Sequence, residues 1–150
     1  MAELALEELS AKTIVAVNNL TLRPGQEQFV QPPSYAMADS YLDPSTSWAR
    51  VVLDGDQVVG FVRGNFDPDA EKEQFRSCVW RVSVEADAQG SGVGRFAVQA
   101  LADEAKRRGN DRLTAIWEAG DLGPEQFFLA LGFEIVGQTE YGEHLGALKL

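Results

Sequence analysis

One cysteine and one histidine, Cys78 and His144, are all that the 150 residues hold of either type. A single thiol excludes an internal disulfide, and a lone imidazole speaks against a His/Cys metal site, so no metal is expected. Long apolar runs are missing too, and none approaches the ~18 residues that span a membrane. Basic residues are few: 13 Lys and Arg stand against 23 Asp and Glu, for a formal charge of -10. That balance argues against nucleic acid as a partner. It suits a cationic acceptor, and it equally suits plain solubility. The acidic start, Met1 to Glu8, lacks the basic beginning of a signal peptide, so a cytoplasmic protein is expected. The length fits one domain with a real core, read as residues 1–150.

Glycine, by contrast, is concentrated where two patterns meet. Val79 to Val84 is β-branched and aromatic, as a strand should be. Gly90, Gly92 and Gly94 follow at alternate positions. Then Val93, Phe96, Ala97, Ala100, Leu101, Glu104 and Ala105 fall at spacings of three and four, which predicts a helix with a mostly apolar face. Lys106, Arg107 and Arg108 crowd its last turn, and Gly109 suits the position just past its end. Glycines let the backbone bend and let a ligand come close. The first amides of a helix lack partners and carry partial positive charge, so such an end attracts a phosphate. An ordinary tight strand-to-helix turn would look the same from glycines alone.

Spacing narrows the ligand. A P-loop needs Lys-Ser/Thr after its last glycine, where Arg95-Phe96 stands here. Gly92-x-Gly94-x-x-Ala97 satisfies the dinucleotide pattern on paper, but the 53 residues after Ala97 are too few for a doubly wound sheet. Gln89-x-x-Gly92-x-Gly94 remains, and it resembles the Gln/Arg-x-x-Gly-x-Gly/Ala signature of the GNAT family of N-acetyltransferases, which bind acetyl-coenzyme A. Val84-Glu85-Ala86-Asp87-Ala88 resembles the strand end that leads into that loop, and Leu131-Gly132-Phe133 resembles the family's Leu-Gly-Phe. The likeness covers roughly residues 50 to 150.

Along the chain, Ala2 to Leu9 reads as a first, edge strand. Ser10 caps a helix running through Ile14, Val17 and Leu20 to Leu22, which Arg23-Pro24-Gly25 stops. Ser34 to Tyr41 reads as a second helix. Trp48 to Leu53 and Gln57 to Arg63 flank Asp54-Gly55-Asp56, a hairpin signal, with Gly60 marking a bulge or a close backbone approach. Asn65 to Gln74 is a loop, Phe75 to Val84 a strand and Arg112 to Trp117 another. Pro124 opens a helix over Glu125 to Leu131, Phe133 to Val136 is a strand, and Glu143 to Leu150 closes the sheet. This is an α/β chain with a mixed central sheet.

The resemblance implies more. In that family the strands at about 75–84 and 112–117 run parallel and splay apart, and the pantetheine arm lies in the gap. Val82 and Val84 would then offer backbone groups to it, with Gln89, Gly90, Gly92, Val93, Gly94 and Arg95 at the pyrophosphate. The Val84 N–H becomes the oxyanion donor. Glu27, Tyr35 and Asp39 become acceptor contacts by position. Glu118 is the first choice of base and Glu143 the second. The family's usual acid, a Tyr five residues before the Phe of Leu-Gly-Phe, is Phe128 here, which cannot donate a proton. Tyr141, a water or direct thiolate departure would replace it. Gly123 to Phe133 with Gly142-Glu143 resembles bacterial diamine and spermidine acetyltransferases. The function implied is transfer of acetyl from acetyl-coenzyme A to a primary amine of a small molecule, a polyamine being the first guess. The alternative is a catalytically weak acyl-coenzyme-A binder or sensor. A terminal edge strand also leaves a homodimer open.

Overall fold

Asp54-Gly55 does what the pattern predicts: Gly55 takes φ +62°, and the chain reverses between β2 (Ser47–Asp54) and β3 (Gln57–Phe66). The computed structural model describes residues 3–21, 44–119 and 123–150. Ahead of the hairpin, β1 (Leu4–Glu8) lies antiparallel on β2. After it come β4 (Ser77–Val84), α2 (Val93–Arg107), β5 (Arg112–Trp117), α3 (Glu125–Ala130), β6 (Glu134–Gln138) and β7 (His144–Lys149). A short α1 (Ile14–Asn18) precedes β2. Among the described residues seven strands form one mixed sheet in the order β1-β2-β3-β4-β5-β7-β6, and its one parallel pair is β4 with β5.

Helix α2 buries Val93, Ala97, Val98, Leu101, Ala102 and Ala105 on one face of the sheet. There they meet Trp48, Val52, Val62, Phe66, Leu113, Ala115 and Trp117. The opposite face carries a smaller cluster, with Val17 of α1 against Val51 and Phe61. Gly64 is glycine because a Cβ there would come within 2.2 Å of Leu101 Cδ1.

Some boundaries differ from the sequence reading. The first helix is one turn, not a run to Leu22. Thr13 stands at its N-cap, and Asn19 and Leu20 tighten onto carbonyls three and four residues back. The Ser10 carbonyl, rather than its side chain, receives the first amides, and Leu22 lies outside the described residues. The strand expected from Phe75 begins at Ser77, because Phe75 and Arg76 close a 3-10 turn onto Lys72 and Glu73. Strand β3 runs on to Phe66, held by Thr46 and by pairing to Ser77, so the loop starts later than Asn65. The expected helix from Ser34 to Tyr41, and with it Glu27, Tyr35 and Asp39, lies outside the described residues.

Both readings of Gly60 hold. The β2–β3 register slips so that Val52 faces Gly60 and Leu53 faces Val58, leaving Val59 as the extra residue. A Cβ on Gly60 would also lie 2.9 Å from Val93 Cγ1 and 3.2 Å from the Ser83 carbonyl.

Candidate active site

The chain leaves β4 through a 3-10 turn, Ala86–Ala88, and enters α2 at Gly92. Gly90 and Gly92 sit at φ +86° and +93°, a region that side chains disfavour, and space around both is open. No side chain among the described residues caps α2, so its first-turn amides face outward without a partner from the helix. A Cβ on Gly94 would meet Phe127 Cε1 at 2.6 Å and Val84 Cγ2 at 3.5 Å, so helices α2 and α3 touch here through glycine. Arg95 is exposed, and its Nη2 reaches the Ala130 carbonyl of α3 at 3.4 Å. Gln89 Nε2 donates to the Val84 carbonyl at 3.2 Å.

The parallel pairing of β4 with β5 is a single contact, Cys78 with Thr114. Beyond it β4 continues for six residues with no partner strand on that edge among the described residues. Which groups line the gap follows from alternation. The Glu85 N–H donates to the Val59 carbonyl at 2.9 Å, so residue 85 faces β3. Val84 and Val82 then point their N–H and C=O toward the gap. A bulge accompanies this, since Arg63 pairs with Arg81 while Gly64 pairs with Val79, and Trp80 is the extra residue.

Glu118 follows β5 directly and is exposed. Continuing the β5–β7 register past Trp117 and His144 sets it opposite Glu143. Glu143 is half-buried and accepts from the Thr139 hydroxyl at 3.1 Å. Tyr141, at the tip of the β6–β7 turn, is 82% exposed.

Two groups escaped the sequence reading. Glu125 Oε1 accepts from the Trp117 indole at 3.1 Å and also bonds His144 Nδ1. The Trp117 hydrogen bond, then that of His144, holds the Glu125 carboxyl below its usual range. The signal lay in the register, which places His144 directly across from Trp117. The second group is Arg63 and Arg81, 1% and 7% exposed on the face away from α2. Arg63 Nε donates to Ser47 Oγ at 3.2 Å, and its guanidinium lies 5.1 Å from the Trp80 ring. Arg81 Nε donates to Ser83 Oγ at 2.9 Å.

A family model described as the acetyltransferase (GNAT) family matches residues 14–133. The chain belongs to this family. Among curated proteins, this GNAT chain is similar to an L-2,4-diaminobutyric acid acetyltransferase of Wolinella succinogenes, 30% identical over 80 residues. The match takes in 52% of this chain and 44% of that protein, so it spans less than half the relative's length. Solved structures share the GNAT fold. A PaiA N-acetyltransferase from Thermoplasma acidophilum, in complex with coenzyme A, superposes with TM-score 0.75 at 10% identity over 99% of both chains. An acetyltransferase from Thermus thermophilus does so with TM-score 0.71 at 20% identity over 100% of both.

Within this GNAT fold Phe128 is a core residue. It is 4% exposed, stacked on Trp117 with centroids 5.0 Å apart, and edge-on to Phe127 and Phe133. Among the described residues no group of three or more His, Cys, Asp or Glu is placed to hold a metal. No helix among them is long and apolar enough to cross a membrane.

Proposed function

We propose that residues 1–150 form one acetyl-coenzyme-A-dependent N-acetyltransferase domain acting on a primary amine of a small molecule. The observation that carries the reading is the join of two features at one end of β4: the open glycine turn at a helix start and the gap between β4 and β5. The turn suits a pyrophosphate and the gap suits an extended thioester arm. Gln89, Gly90, Gly92, Val93, Gly94 and Arg95 would surround the phosphates. Arg95 would exchange its Ala130 contact for one of them. The backbone of Val82 and Val84 would hold the arm, with the Val84 N–H toward the developing oxyanion.

In the reaction, Glu118, with Glu143 second, takes a proton from the ammonium. The freed amine attacks the thioester carbonyl carbon, a C–N bond forms, the C–S bond breaks, coenzyme A leaves as a thiolate, and the nitrogen gives up its second proton to water. Tyr141 would protonate that thiolate where water does not. Glu27, Tyr35 and Asp39 would line the acceptor side. A polyamine is the acceptor that the C-terminal resemblance implies, and 2,4-diaminobutyrate joins it from the curated relative's name. The setting would be cytoplasmic, and an edge strand leaves room for a homodimer.

Thermal unfolding with acetyl-coenzyme A, against NADH and ATP, tests the site, because a ligand of the native state raises the midpoint. A rise with acetyl-coenzyme A alone supports the reading, and no rise removes it. A second reading, a weakly active acyl-coenzyme-A binder, is favoured by Phe128, whose core packing replaces the family's acid. Thiol release with a panel of amines separates the two.

A further inference from the structure

Arg63 of β3 and Arg81 of β4 face each other in register on the side of the sheet away from α2. Arg81 is buried there, and taking a cation out of water is costly. Arg81 Nε is satisfied by Ser83 Oγ, but Nη2 is buried and has no acceptor among the described residues. Burial pulls its pKa down to about 10, so it remains a cation at neutral pH. A cation kept under such conditions suits an anion that arrives from outside, and a guanidinium grips a carboxylate with two parallel hydrogen bonds.

Its place matters as much as its charge. Arg81 adjoins Val82, three residues beyond Cys78, where β4 and β5 have parted. Val82 and Val84 turn their side chains to the α2 core, whereas Arg81 and Ser83 turn theirs to the other face. Arg81 is covered on that face, so an acceptor coming from it would reach the guanidinium, next to the acetyl group, by displacing what covers it.

We propose that the acceptor carries a carboxylate on the same small molecule as its amine, and that Arg81 holds this carboxylate. This rests on the acetyltransferase reading above and selects an amino acid with a side-chain amine over a polyamine. The test uses pairs that differ only by the carboxylate: lysine and cadaverine, ornithine and putrescine, 2,4-diaminobutyrate and 1,3-diaminopropane. In at least one pair the carboxylate member should show a kcat/KM about a hundredfold higher, carried by KM. Arg81→Gln should collapse that ratio, and Arg81→Lys should restore part of it.

Calorimetric titration of the same pairs with coenzyme A present reads binding without turnover. It keeps the question decidable on wild-type protein should Arg81→Gln fail to fold. Equal kinetics and equal binding across every pair, or no binding of any carboxylate member, would overturn the assignment. A midpoint shift by acetyl-coenzyme A with the diamine acetylated as well as its carboxylate partner in every pair would overturn it while leaving the acetyltransferase reading intact. Absence of that shift, with the carboxylate members still bound preferentially, would do the reverse.

Discussion

The two faces of the sheet are built on different terms. Toward α2, the buried surface is mostly Val, Leu, Ala, Phe and Trp, with Ser77 beside Phe66 at one end of β4. Away from α2, Arg63, Arg81, Ser83, Asn65 and Thr114 are buried on the face that also carries Phe61 and Val51. The first face converts burial into stability through close packing. The second spends stability to keep charge and hydrogen-bonding groups in place. The second arrangement costs the fold stability, and the proposed acceptor side lies on this polar face.

Four measurements would break or sharpen this contrast. The largest effect belongs to the apolar face. Leu101 is fully buried, and Leu101→Ala should cost about 2–5 kcal/mol, read from the urea midpoint. On the polar face, Arg81→Met should cost nothing and raise stability by about 1 kcal/mol, since it removes a buried charge that meets no carboxylate among the described residues. The sign follows from the guanidinium pKa, pushed down to about 10 by burial. The folded state then disfavours the charged form, the penalty is in force below about pH 10, and it fades as pH rises through that value. A destabilised Arg81→Met protein would mean that the arginine serves the fold.

Glu125 gives a smaller, pH-dependent effect. Its carboxyl is held below the usual 4.5, first by the Trp117 indole and then by His144. The stability it contributes is present above that usual value and is lost as pH falls through the lower folded one. Glu125→Gln should flatten the melting temperature on the acid side below pH 4.5, and an unaltered profile would show the hydrogen bonds to be idle. Cys78 should show the least change. Burial raises its thiol pKa to about 12 against the opposing pull of Arg63, so alkylating reagents at about pH 8 should leave it untouched until the protein unfolds.

Legibility followed the same division. The Asp54-Gly55 hairpin, the glycine turn and α2 were plain, because each depends on local chemistry: a positive φ, or a 3.6-residue period. The first helix was legible at Ile14 and Val17, and Val17 packs against the core, but its length was not, because the stop comes from a tightened last turn rather than from a proline. Arg63 and Arg81 were invisible as site residues. They alternate with Val62 and Val82 along their strands, and nothing local reveals that their side is covered. His144 stood out in composition, yet its bond to Glu125 spans 19 residues and depends on where α3 lands.

The bulge at Trp80 has a consequence of phase. Before it, odd-numbered Val79 points into the α2 core; after it, even-numbered Val82 and Val84 do. Strand β4 is thus two short alternating signals joined half a period out of step. Had the strand stayed in phase, Arg81 would project among Leu101 and Val98, and the valines would line the other face. Taking Trp80 up as a bulge keeps oil and chemistry on their own sides, and deleting Trp80 would leave Val79, Val82 and Val84 in plain alternation on the α2 face with Arg81 still opposite.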